Sequence, residues 1–429
     1  MSAMHLEERD IQTKIKHLIL SDYMRAWSSI ILSGLSNTAR TRLAQGLPFR
    51  SRLVYVDGFS YKGRYSKDVE YLPKEPATTD SIWGSPILGV QALDRAKEWA
   101  RAQYQFDIET ASILVEEDIG TFRDLLENLR VAGFSTRVIE NPSSILPRDG
   151  EIVVLRADFR DRYPEVVDFL RSQYTKSFVL LDPRGVSGIP YEMVRQFVSI
   201  PSADVIINWP YLDLQRRQGR SNEAIQLSLD KMFDDISWRA LAQETGGVES
   251  VEDVEARLAK FYRDRLQLAD RDAAIKYTRL DFPDRDRTMF YLFLTTHDPT
   301  GALKLNEVLD DARLAQVRMR WNRAQDKYVR RREAAGQQSL FDTAPLKPSA
   351  PMPDSRDIDI GKLSVDIFHN FGGKLASRKD VYRHFAGSEV YASEINRALT
   401  RLKQERKAEF GSSTKINDPI QFAPKGGAP

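Results

Sequence analysis

Short apolar runs that stop on an acid or an amide recur through the first half of this chain. No other sequence feature restricts its fold as tightly. Leu53-Val54-Tyr55-Val56 ends in Asp57-Gly58, and Ala111-Ser112-Ile113-Leu114-Val115 ends in Glu116. Ile152-Val153-Val154-Leu155 leads into Arg156-Ala157-Asp158, Phe178-Val179-Leu180-Leu181 ends in Asp182, and Val205-Ile206-Ile207 ends in Asn208. Each run has the length and continuous hydrophobicity of a strand covered on both faces, the mark of a parallel sheet. Helix-forming segments stand between them, opening at Gly84-Ser85-Pro86 and spanning residues 121–131, 163–173 and 190–198. This alternation predicts an α/β protein with a mostly parallel, doubly wound sheet. The polar terminators then fall along the carboxyl edge, where such sheets bind ligands. A single acid at a strand end is usually a helix cap, whereas a row of them points to a site.

The first unit is the most informative. Asp57-Gly58 ends a buried strand in a tight turn, Gly63 follows, and Ser85-Pro86 has the chemistry of a helix start. Strand, acidic turn, loop and helix is how a Rossmann-like sheet opens when it takes a nucleotide-like ligand. Glu116, at the end of the second strand, suits ribose hydroxyls, but it lies much further along than the usual ~20 residues. An insert at 69–83 accounts for part of that excess.

Around this core, residues 6–33 carry apolar positions at helical spacing, with Lys16-His17 on the same stretch. An exposed Lys beside a partly buried His is the plainer reading of that pair. Residues 216–275 read as a charged helical insert without a catalytic pattern, and 288–296 as a late strand rejoining the sheet. The first domain is therefore expected to span 1–333. A Pro- and Ser-rich linker follows at 334–357.

The last segment, 358–429, reads as a winged helix-turn-helix. Helices are expected at 360–370, at 374–384 with Ser377 as a possible N-cap, and at 391–406; a two-stranded wing uses 407–410 and 420–422. Arg397, Arg401 and Lys403 on the third helix suit nucleic-acid contacts, as do Arg320, Arg323 and Arg330 in the basic run 313–332. A solvated helix face and a protein-docking module are the plainer alternatives.

Composition sets the outer limits. The 429 residues are 41% hydrophobic and 29% charged, with a net charge of +2, as in a soluble globular protein. No apolar run approaches the ~18 residues of a membrane span. The polar, acidic N-terminus is unlike a signal peptide, so a cytoplasmic location is expected. The absence of cysteine excludes disulfides and thiolate metal sites on this chain, and no metal site is expected.

The stretches VDGFSYKGRY, GSPILGVQAL, LLDPRGVSGIPYEMVRQF, VIINWPYLDLQRR and YLFLTTHDPTG resemble the three-Cys-motif partner protein family over roughly residues 10–320. That resemblance implies a methyltransferase-like domain, a bacterial chain often carried on mobile DNA, and a partner protein with a three-cysteine, radical-enzyme-like motif. More distantly, the layout is similar to the large-subunit ribosomal RNA adenine methyltransferases. That likeness implies S-adenosylmethionine as cofactor. Asp57, Gly58, Gly63, Ser85, Glu116 and Asp158 would then bind the cofactor, and Asp182, Lys16 and His17 would serve catalysis.

Two departures stand out. Tyr61 occupies a position where the pattern has Gly, so a positive φ there would be strained. Arg184-Gly185 replaces the aromatic that would stack on an extruded base. Asn208-Trp209-Pro210-Tyr211 has the form of an amino-methylation box but comes one strand late, and reads better as structural. Two functions follow as expectations: a methyltransferase acting on nucleic acid, or a degenerate adaptor joining a partner to DNA or RNA. A magnesium nuclease is a poorer third.

Overall fold

A computed structural model describes residues 6–66, 82–172, 174–183, 185–211, 223–243, 251–282, 287–334, 358–411 and 416–425. Arg184, almost all of the 69–83 insert and nearly all of the 334–357 linker lie outside this set, as do the side chains of Arg320, Arg323 and Arg330.

The chain opens with α1 (Ile11–Ala44), β1 (Arg52–Asp57), α2 (Ser85–Tyr104), β2 (Glu109–Glu116) and α3 (Ile119–Val131). Next come β3 (Val138–Glu140), β4 (Ile152–Arg156), α4 (Phe159–Leu170), β5 (Thr175–Leu181), α5 (Tyr191–Val198) and β6 (Ala203–Trp209). Helices α6 (Glu223–Phe233), α7 (Trp238–Gln243) and α8 (Val251–Ala269) precede β7 (Ala274–Asp281), β8 (Thr288–Thr296) and α9 (Pro299–Ala334). An eight-stranded sheet runs in the order β3-β4-β2-β1-β5-β6-β8-β7. It is parallel except at β8, which is antiparallel to both β6 and β7.

The strands bury alternate residues on opposite faces, as a period of two requires. Val54, Val56, Ile113 and Val179 pack with α4, α5, α6 and α8. Leu53, Tyr55, Leu114 and Phe178 pack with α1, α2, α3 and α9. Helix α1 is anchored by Asp10, whose carboxylate accepts from the Thr13 amide at 2.7 Å. Its stripe of Ile11, Ile15, Ile19, Tyr23 and Trp27 is buried against the sheet.

Several boundaries differ from expectation. The first helix runs to Ala44, well past residue 33. The insert does not stay helical to 275: β7 starts at Ala274 and forms the sheet's outer edge.

The C-terminal segment folds as α10 (Ile360–Phe371), β9 (Leu375–Ser377), α11 (Arg378–Phe385), α12 (Ala392–Gln404), β10 (Ala408–Glu409) and β11 (Pro419–Phe422). Its sheet has three strands, β10-β11-β9, rather than two. Residues 375–377, expected within a helix, are strand instead. Ser377 stops them by capping α11 in a reciprocal box with Asp380. The module is not packed alone. Leu303 of α9 is fully buried in its apolar core, and the Asn306 amide donates to the carbonyls of Ser388 (3.0 Å) and Val390 (2.7 Å).

Candidate functional site

A cleft of about 1100 Å³ opens over the carboxyl edge of the sheet. Lys16, His17, Gly58, Gly63, Ser85, Glu116, Asp158, Asp182 and Asn208 all line it. The strand-end residues arrive there because β1, β2, β4, β5 and β6 run parallel and end at one rim, while Lys16 and His17 come from α1 and Ser85 opens α2. Asp57 lies just beneath, wholly buried.

At the centre, the Lys16 ammonium meets Asp182 Oδ2 at 2.6 Å. Asn208 Nδ2 donates to the other carboxylate oxygen at 2.5 Å. The same ammonium stands 5.2 Å from the Phe290 ring centroid, an arrangement that favours the cation. His17 is buried, with its Nδ1 3.3 Å from the Arg9 guanidinium. Burial, then Arg9 and Lys16, hold its pKa well below the ordinary value. His17 is therefore a neutral imidazole, and it can accept a proton only at some cost.

The β1 turn is built from the inside out. Gly89 of α2 has no Cβ, and one placed there would lie 2.1 Å from the Tyr55 ring. That close approach lets the Tyr55 hydroxyl donate to Asp57 Oδ2 at 3.0 Å. The Phe59 amide donates to Oδ1 at 3.2 Å. Desolvation outweighs these donors, and the Asp57 carboxyl is pushed up to about 6. Tyr61 holds φ at +53°, in the left-handed region. Its amide donates to Glu116 Oε2 at 2.9 Å, while the Asp118 amide donates to Oε1 at 2.9 Å. Glu116 is thus fixed at the end of β2 as a carboxylate.

Some expected residues are committed elsewhere. Asp158 caps α4 through the Arg160 amide at 2.8 Å, and its carboxylate is also chelated by the Arg160 guanidinium. That pairing holds its pKa below the usual carboxylate value. Sequence reasoning could not see that the cation two residues later would take this acid. The basic side chains flanking Gly63 are also engaged: Lys62 pairs with Asp124 at 3.3 Å, and Arg64 stacks over Trp83 at 5.4 Å. Trp209 and Tyr211 are buried in the core, so neither offers a face to a base. Asn208, read as structural with them, instead contacts Asp182 in the cleft.

Other cleft residues were not anticipated at all. Glu7, Glu8 and Asp10 come from the segment before α1, Ile119 from α3, and Met289 and Phe290 from β8. The β-rich run at 288–296 was the only available signal for Phe290. Nothing local marks the three acids.

In the C-terminal module, Arg397 and Arg401 are exposed on α12, and Arg401 pairs with Glu405 at 2.9 Å. Lys403 folds onto the wing side, 4.8 Å from the Phe410 ring centroid and 2.5 Å from its carbonyl. Among the described residues no group of three metal-ligating side chains occurs. Within the same residues, no helix is long and apolar enough to cross a membrane.

No family model matches the chain, and no curated protein matches it. Among solved structures it is similar to the crystal structure of protein LPL1258 from Legionella pneumophila, titled under the family model DUF519. The TM-score is 0.37 at 12% identity, covering 70% of this chain and 91% of that one. A likeness this distant leaves function to be argued from the cleft itself.

Proposed function

We propose that the chain is a Rossmann-like, methyltransferase-type protein whose cleft binds a nucleoside ligand. The observation that carries this is the position of Glu116: a fixed carboxylate at the end of the second strand of the opening unit, in the cleft over the carboxyl edge. The strand order from β4 through β6 reverses between β1 and β5, which gives the crevice that such folds use. Ile119 and Ala157 supply apolar wall beside Glu116, suited to the edge of a base.

S-adenosylmethionine, the cofactor implied by the resemblance, fits these residues in part. The nucleoside half has Glu116 and the apolar wall. The amino-acid half meets acids, and the one cation on that side, Lys16, is held by Asp182; the exposed Arg156 lines the cleft at the opposite end, beside Glu116 on β4. Ligand binding is therefore proposed as the function, in place of methyl transfer.

Calorimetric titration of the full chain with 5′-methylthioadenosine tests the reading. Binding should appear and weaken about tenfold in Glu116→Gln, roughly the worth of a charge-assisted hydrogen bond. Absence of heat with folded protein at high micromolar nucleoside would sink it.

A second reading concerns the C-terminal module, proposed as a winged helix that joins nucleic acid, or the three-cysteine partner, to the first domain. Ser393, Arg397, Thr400, Arg401 and Gln404 leave one continuous polar stripe of α12 exposed although the module is docked on α9. Fluorescence anisotropy with duplex DNA and with RNA should show binding that falls steeply with salt. Affinity unchanged in a variant with Arg397→Ala and Arg401→Ala would remove this stripe from consideration.

A further inference from the structure

We infer, resting on the nucleoside reading above, that the cleft selects a nucleoside whose 5′ substituent is neutral or cationic over one that carries a carboxylate or phosphate. Strand order sets the direction. Glu116 ends β2, and Ala157 lies beyond it over β4. A ribose held at Glu116, with its base toward β4, sends its 5′ substituent the other way, across β1 toward β5.

Four acids meet it there: Glu7, Glu8, Asp10 and Asp182. Lys16 is the cation in that part of the wall, and it is already held by Asp182 at 2.6 Å. His17 is kept neutral by burial. Lys62 and Arg64, the two cations that the sequence offers near the turn, do not line the cleft. Arg156, an exposed cation that also lines the cleft, ends β4 on the base side of Glu116. Toward β5 an incoming anion therefore gains no free positive partner among the described residues, and it approaches several negative ones.

Two further observations agree. Asn208 is only 7% exposed and gives its amide to Asp182, yet its Oδ1 has no hydrogen-bond partner among the described residues. Buried beneath the wall, a bare acceptor adds negative potential that opposes an approaching carboxylate. The acids are also held in place. The Tyr61 hydroxyl donates to Glu7 Oε1 at 2.8 Å, and the Ser66 amide to the Glu7 carbonyl at 2.9 Å. The residue that breaks the glycine pattern of the turn thus anchors the acidic segment across it.

The test uses the full chain and four probes: S-adenosylmethionine, its decarboxylated form, 5′-methylthioadenosine and adenosine 5′-monophosphate. The first two differ only in the carboxylate. Calorimetry should find the decarboxylated form and methylthioadenosine at least about tenfold tighter than S-adenosylmethionine and the monophosphate. In a variant with Glu7→Gln and Glu8→Gln, both exposed positions, that ratio should shrink to within about threefold. S-adenosylmethionine binding as tightly as its decarboxylated form overturns the inference and leaves the nucleoside site standing. Failure of all four probes overturns the nucleoside reading, and the inference with it. An unchanged ratio in the double variant overturns the role of the acidic segment.

Discussion

Lys16 and Asp182 are 166 positions apart in the chain and meet at 2.6 Å. One comes from the second turn of α1 and the other from the end of β5, so a single ion pair ties the N-terminal helix to the rim of the sheet. The side chains are 19% and 24% exposed, between the surface and the buried regimes of such pairs. A double-mutant cycle with Lys16→Met and Asp182→Asn, read by urea unfolding, should give a coupling of about 1–2 kcal/mol, above the ~0.2–1 kcal/mol of exposed pairs. A coupling of zero would mean that Asp182 is held by Asn208 alone.

Tyr61 at φ +53° makes a different prediction. The left-handed conformation costs a residue with a Cβ about 1–2 kcal/mol and glycine almost nothing. Tyr61→Gly and Tyr61→Ala both lose the ring and the bond to Glu7, so comparing them isolates the backbone. Tyr61→Gly should be about 1 kcal/mol more stable than Tyr61→Ala in chemical denaturation. The opposite order would show that the turn relaxes out of the left-handed region when the ring is gone.

Asp57 predicts a pH dependence. Burial raises its carboxyl from the ordinary 3.8 to about 6. The native state therefore keeps a proton that the unfolded chain releases, so native stability falls as pH rises between about 4 and 6. The full effect amounts to roughly 3 kcal/mol. Asp57→Asn has no proton to lose. Measured against the natural chain by urea unfolding, the variant should gain about 1–3 kcal/mol in relative stability from about pH 4.5 to about pH 7.5. A constant difference across that range would contradict the burial of a titrating group here.

How much of this was legible follows from where the information lies. The rim residues Asp57, Glu116, Asp158 and Asp182 could be read because each ends a run that is buried on both faces, and such runs are local in sequence. The possibility of a positive φ at Tyr61 was legible too, from the turn pattern. Strand β7 was not, since Lys276 and Arg279 interrupt its apolar positions and a charged edge strand resembles the helices before it. The approach of Glu7, Glu8 and Asp10 to the cleft is set by how α1 docks, and the capture of Asp158 by Arg160 is set by side-chain geometry. Neither leaves a periodic signal.

The docking of the C-terminal module supplies the last prediction. Leu303 is fully buried, yet its neighbours in the apolar core include Ile367, Val381 and Leu399 of the module. A separate globular unit joined by a linker would not need a core residue from the helix of another domain. Leu303→Ala should therefore cost about 2–5 kcal/mol, as a buried Leu truncation does. Asn306→Ala strips the donor from two turn carbonyls and should cost about 1–3 kcal/mol. Both variants should release the module first, so that limited proteolysis cuts near residues 358–411 while the eight-stranded domain stays intact. If cleavage there is no faster than in the natural chain, and the loss of stability is shared evenly, the two parts unfold as one cooperative unit. In either outcome, deleting 358–429 should leave Leu303 exposed and the truncated chain more prone to association.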